Sequence, residues 1–217
     1  MRRPVRIVIV FFVCTLLHGD VALPQAAVPA ISIAQQGYFF VGGKYRQTKD
    51  GQVMTGQMFV QYQIPAARTH PYPVVMWHGG NQTGTNFLAT PDGRKGWADY
   101  FLEHGYAVYV VDQPARARSG LVTDVYGATR KPTTGSMSER FTAPEKTALY
   151  PQARLHTQWP GTGVAGDPLF DQFFSSQVED IADAGIVEAL NRDAGKDRTF
   201  VPRLVRFKST MGGFKPS

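Results

Sequence analysis

Residues 73–78 (Pro-Val-Val-Met-Trp-His) and 106–112 (Tyr-Ala-Val-Tyr-Val-Val-Asp) are apolar runs without polar alternation. A strand with one wet face alternates apolar and polar residues, whereas a strand covered on both faces does not. Both runs therefore predict strands inside a layered structure. Between them, Gly96 to His104 sets Trp97, Tyr100 and Phe101 at i, i+3 and i+4, the spacing of one helix face. Asp92 and Gly93 precede that stretch, and Gly105 is a fitting stop. Strand, helix and strand in this order make a βαβ unit with parallel pairing and a right-handed crossover. The expected fold class is α/β, a mostly parallel sheet with flanking helices.

An N-terminal hairpin is expected before this unit. In Met58 to Ile64, the residues Met58, Val60, Tyr62 and Ile64 alternate with Phe59, Gln61 and Gln63. Tyr38 to Val41 reads as its partner strand, with Lys49-Asp50-Gly51 as a turn signal between them. Residues 113–169 show no regular period and are rich in Pro, Gly, Thr and Arg, so they read as a lid or a pocket-lining excursion. Phe170 to Leu190 reads as one helix, with Phe170, Phe173, Phe174, Val178, Ile181, Gly185 and Ala189 along a stripe.

The chain's ends differ from its middle. Residues 1–30 read as an export signal, with a basic start at Met1 to Arg6, eleven apolar residues from Ile7 to Leu17, and small residues at Val28-Pro29-Ala30. An export signal implies a periplasmic or extracellular protein; a retained N-terminal anchor is the alternative. Residues 31–195 are expected to hold the domain, and residues 196–217 an atypical basic tail. The net charge of +6 divides into +2 from residues 1–30, +5 from residues 196–217 and −1 from the remainder. A near-neutral domain lacks the basic face that nucleic-acid binding needs. Cys14 is the only cysteine, so no intrachain disulfide is possible. The five histidines are scattered without metal-ligand spacing, and no metal site is implied.

The chemistry-bearing motif is Trp77-His78-Gly79-Gly80-Asn81-Gln82-Thr83-Gly84, at the end of the first apolar run. Acyl transfer builds negative charge on a carbonyl oxygen, and fixed backbone N–H groups stabilise it. Glycines let the backbone come close to that oxygen. His78, Gly79, Gly80, Asn81 and Gln82 are thus candidate oxyanion-hole residues, with His78 expected to pack beneath the loop and fix it rather than act as a base.

With these residues in view, the chain resembles the α/β-hydrolase superfamily, in particular bacterial secreted esterases. The similar stretches are Trp77 to Gly84, Thr90-Pro91-Asp92-Gly93-Arg94 with Gly96-Trp97, and Tyr109-Val110-Val111-Asp112-Gln113. Arg116, Arg118 and Ser119 follow, in a turn resembling D-x-x-G-R-G-x-S with Ala115 and Ala117 where glycine is more usual. Trp159-Pro160-Gly161-Thr162-Gly163 and Asp167-Pro168 are similar as well. The resemblance implies an α/β-hydrolase fold, no cofactor and small-molecule ester substrates. Arg116, Arg118 and Trp159 are candidate pocket residues, although a solvated loop is the plainer reading of the two arginines.

The chain departs from that family at the nucleophile, which the family carries in G-x-S-x-G on a sharp strand-to-helix turn. No G-x-S-x-G occurs, and Ser209-Thr210-Met211-Gly212 is the nearest look-alike, with five residues after it. No histidine follows His156, so no complete catalytic set is expected. The expectation is the N-terminal half of an esterase, an incomplete α/β-hydrolase fold ending before the nucleophile, with a tail of the kind a frame shift would produce. Such a half would leave an unpaired sheet edge at residues 106–112 or nearby. The alternative is a non-catalytic fragment or binding module that retains half the fold. A dinucleotide-dependent reductase fits less well: Gly161 to Gly166 matches G-x-G-x-x-G, but no strand precedes it.

Overall fold

The computed structural model describes residues 30–197. Most of the expected export segment and residues 198–217 of the basic tail, with the look-alike Ser209 to Gly212, lie outside the described residues.

The hairpin is present and far longer than its apolar pattern suggested. Strand β1 is Ile33–Thr48 and β2 is Gly51–Pro65, paired antiparallel with Thr48 opposite Gly51 and Tyr38 opposite Gln61. The Thr48 hydroxyl closes the Lys49-Asp50 turn by donating to Gly51 O at 2.8 Å. Next come β3, Val74–Met76, then helix α1, Trp97–Glu103, and β4, Val108–Asp112. Strands β3 and β4 are parallel neighbours, with Val75 opposite Tyr109. The two strands and the helix between them are therefore as expected, but α1 turns Ala98 and Leu102 to the sheet, while Trp97 and Tyr100 of the expected stripe are exposed.

The sheet order is β1-β2-β4-β3. Strand β4 is buried at every position, and its alternate residues feed two cores. Tyr109 and Val111 join Val41, Met58, Val60 and Ile64 on one face. Val108 and Val110 join Met76 and the α1 residues Ala98 and Leu102 on the other. This two-sided burial is the physical reason that residues 106–112 show no polar alternation.

Two expectations about the sheet are corrected. It is not mostly parallel among the described residues: β1–β2 and β2–β4 are antiparallel, and β3–β4 is parallel. The hairpin's second strand packs beside β4 in the opposite direction, so the N-terminal part contributes only antiparallel pairs. Nor do residues 106–112 form an open edge. Strand β4 lies between β2 and β3, which leaves β1 and β3 on the outside.

The long excursion after β4 is built from short turns. It contains helix α2, Thr123–Tyr126, strand β5, Thr129–Arg130, and helix α3, Thr134–Met137. A π-type turn at Ser138–Thr142 and 3₁₀ turns at Pro144–Lys146 and Pro151–Leu155 follow. Proline opens both 3₁₀ turns, where its missing N–H is no loss.

The single helix expected over Phe170 to Leu190 is two helices with a strand between. Helix α4 is Pro168–Ser175, β6 is Asp180–Ile181 and α5 is Ala184–Gly195. Asp167 caps α4 by accepting from Leu169 N and Phe170 N, and Asp183 caps α5 by accepting from Gly185 N and Ile186 N. Between them β6 pairs antiparallel with β5, Arg130 opposite Asp180. Tertiary pairing therefore overrides the helical period at Val178 to Ile181. Helix α5 returns to the sheet, where Ala194 packs into the first core.

Candidate active site

The chain leaves β3 at Trp77 and enters the His-Gly-Gly loop at once. His78 is buried, and its imidazole is held at both nitrogens. The Gln113 N–H donates to Nε2 at 3.0 Å. Nδ1 therefore carries the ring proton and donates to Gly79 O at 2.9 Å. The Gln113 side chain donates in turn to His78 O. Burial keeps the imidazole's pKa below its ordinary value, and the charge on Arg116 acts in the same sense. A neutral ring with both nitrogens occupied is a clamp for the loop.

The loop turns sharply at Asn81, whose φ of 56° lies in the left-handed region that asparagine tolerates better than most residues. Its side-chain amide donates to Arg130 O and to Val178 O, both at 3.1 Å. Its carbonyl accepts from Val178 N at 2.9 Å. Asn81 thus joins the loop to β5 and to the segment leading into β6. The Gly79 N–H donates to the Gln82 side chain at 3.2 Å. The N–H groups of Gly80 and Asn81 have no protein acceptor among the described residues.

Beneath the loop lies a buried ion network. Arg116 donates to Asp180 Oδ1 from Nε at 2.9 Å and from Nη2 at 2.5 Å. Its Nη1 donates to Gln113 Oε1 at 2.9 Å and to Gly79 O at 3.2 Å. Arg130 occupies the other oxygen, Asp180 Oδ2, at 2.9 Å. Arg116 and Asp180 are only 3% and 1% exposed at their side chains, so the solvated-loop reading of Arg116 is corrected. The turn carrying Arg116 is pinned from behind: Gly84 N donates to Asp112 Oδ1 at 2.7 Å, and Arg118 Nε donates to Asp112 Oδ2 at 2.6 Å. In that turn Ala115 and Ala117 both have positive φ, 61° and 42°.

A cleft of about 450 Å³ opens beside the loop, lined by Gly80, Asn81, Arg130, Lys131 and residues of the α3 region from Thr133 to Phe141. The residues expected to matter fall into three groups. Gly80 and Asn81 line this cleft. His78, Gly79, Gln82 and Arg116 form the support beside and beneath it, Gln82 by accepting from Gly79 N. Arg118 and Trp159 stand apart from both: Arg118 lies 4.0 Å over the Phe59 ring, and Trp159 packs edge-on against Phe173. His104 Nδ1 donates to Tyr100 O at the end of α1, and His156 sits 3.7 Å from Glu145. The glycines of the G-x-G-x-x-G stretch lead into the Asp167 cap rather than into a strand-to-helix phosphate loop. Among the described residues, no cluster of three or more His, Cys, Asp or Glu side chains is placed to hold a metal ion.

Asp180 and Arg130 escaped sequence reasoning. Neither sits in a recognisable motif, and Asp180 fell inside the expected helix. The available signal was Asp183 followed by Ala184 and Gly185, a capping pattern that could have ended the first helix early.

No family model matches the chain. Over 157 residues it is 45% identical to a protein described as probable secreted lipase phiG, from a fungus (Fungal sp., strain ATCC 74256); the match takes in 72% of this chain and 40% of that protein. The chain thus spans two fifths of the length of the curated relative it matches. A solved structure described as a novel bacterial esterase superposes with a TM-score of 0.58 at 23% identity, covering 84% of this chain and 61% of that one. The latter likeness is one of fold.

Proposed function

We propose that the chain belongs to the α/β-hydrolase esterases and lipases, and that it supplies the oxyanion loop and part of the acyl cleft of a carboxylic-ester hydrolase. The observation that carries this reading is the loop itself. Gly80 and Asn81, whose backbone N–H groups have no protein acceptor among the described residues, line a cleft. His78, Gln113 and Arg116 hold that loop from beneath. Donors fixed before the reaction need no reorganisation when a carbonyl oxygen becomes charged, and each is worth about 10²–10³ in rate.

The same reading includes export, which the expected signal at residues 1–30 and the description of the fungal relative as secreted both support. Among the described residues no helix is long and apolar enough to cross a membrane.

A chimera tests the function. Residues 38–195 would replace the matching segment of the fungal lipase, and hydrolysis of p-nitrophenyl butyrate would be measured. Activity well above background supports the reading, provided that it falls when Asn81 is replaced by proline. A folded but inactive chimera counts against it. For the 217-residue chain alone, the absence of G-x-S-x-G and of any histidine after His156 favours a second reading, binding without turnover. No ester hydrolysis is expected from it. Robust turnover abolished by Ser209→Ala would overturn that expectation.

A further inference from the structure

We propose that the cleft beside the loop takes acyl compounds carrying a second, ionised carboxylate. The proposal rests on the esterase reading and names the substrate class. Three of the residues lining the cleft are cations: Arg130, Lys131 and Arg140. No carboxylate is among its lining residues. The nearby acid, Asp180, is buried and already shared between Arg116 and Arg130. One negative charge against two positive ones leaves that pair of arginines with an excess of positive charge. Lys131 and Arg140 have no ion pair among the described residues, and both are exposed.

The cationic group reaches the loop. A methyl group placed on Gly80 would lie 3.5 Å from Asp180 Oδ2 and 3.7 Å from Arg130 Nη2. The loop at Gly80 therefore borders the Arg130–Asp180 pair. The remaining wall is mixed: Met137 and Phe141 offer apolar surface, while Thr133 and Ser136 offer hydroxyls. That surface suits a short hydrocarbon spacer between an ester and an anion. The volume of about 450 Å³ falls in the range of small-molecule sites. A polyanion is a poorer fit, since residues 31–195 carry a net charge of only −1.

The experiment is a titration of the isotope-labelled full chain, followed by backbone amide shifts, with monomethyl succinate and with neutral dimethyl succinate. Monomethyl succinate is expected to bind at least tenfold more tightly, shifting both the loop amides at 79–82 and those at 130–141. In Lys131→Gln/Arg140→Gln that preference should fall to near unity, while Lys49→Gln, in the hairpin turn, should keep it. Both substituted side chains in the double variant are exposed, and its thermal unfolding would confirm that it folds. Equal affinity for the two esters, or a double variant that keeps the preference, overturns the acid selectivity; the esterase reading survives if the loop amides still shift. Shifts confined to 130–141 overturn the proposal and weaken the esterase reading with it. Inorganic phosphate binding as tightly as monomethyl succinate would mark a general anion site and also overturn the proposal.

Discussion

The Gln113 N–H donates to Nε2 of His78 at 3.0 Å, so the segment leaving β4 is tied to the segment leaving β3, its parallel neighbour. Protonation of His78 would set an N–H against an N–H. Burial already depresses the pKa of this ring below 6.5. The folded state therefore binds fewer protons than the unfolded state as pH falls through that range. The contribution of His78 to stability is present above the unfolded pKa and is lost as pH falls through the folded one. Urea midpoints measured from pH 7.5 to 5 should drop for the parent and drop less for His78→Gln. Parallel curves would show that the ring does not titrate in this way.

Asp180→Asn should be strongly destabilising. It leaves Arg116 buried with its charge uncompensated, which costs about 3–5 kcal/mol. Arg116→Met should cost less, because Arg130 still pairs with Asp180, and the double variant should cost less than the sum of the two. A double-mutant cycle in urea checks this; additive losses would mean that the pair is not coupled.

Ala117 is exposed and lies in the left-handed region. Strain there is about 1–2 kcal/mol for a residue with a Cβ, offset by about 0.4–1 kcal/mol of extra unfolded-state freedom in glycine. Ala117→Gly should therefore raise stability by about 0.5–1 kcal/mol. At Ala115 the methyl is buried in a separate apolar cluster with Tyr126 and Ile181, and the gain should be smaller or absent. Denaturant midpoints of the two variants give the comparison.

Gly84 and Gly93 should respond differently to alanine. A Cβ on Gly84 would stand 2.6 Å from Val110 Cγ1 and 3.1 Å from Asp112 Oδ1, inside the second core. Overpacking of that kind costs about 1–3 kcal/mol. Gly93 has open space and only its φ of 81° against it, so Gly93→Ala should cost about 1 kcal/mol. Thermal unfolding of both variants would rank them; the reverse order would contradict the packing described here.

What could be read from the sequence was what depends on near neighbours in the chain. Residues 73–78 and 106–112 announced buried strands because burial on two faces leaves no room for polar alternation. His-Gly-Gly announced the loop after β3, although neither glycine has a positive φ and a Cβ on Gly80 would meet its nearest neighbour at 3.5 Å. The sheet's mixed direction was hidden, since alternation in Met58 to Ile64 reports which face is buried and not which way a neighbour runs. The split of Phe170 to Leu190 was hidden because Asn81 captures Val178 from far away in sequence. Arg116 was misjudged for the same reason: an arginine in a Pro- and Gly-rich stretch reads as wet until its acid, 64 positions later, is known.

The bridge from Asn81 to Val178 spans 97 positions, and that distance has a kinetic meaning. The hairpin and the βαβ unit can form from contacts closer in sequence, whereas the loop gains its anchors only after the entire excursion has closed on itself. Its ordering should thus come late in folding. By the same token, a brief detachment of residues 176–182 would release the loop while the sheet stayed intact. Amide exchange at β6 would then be faster than at β4, and the lifetime of the competent loop would follow the rate of that local opening rather than the stability of the domain.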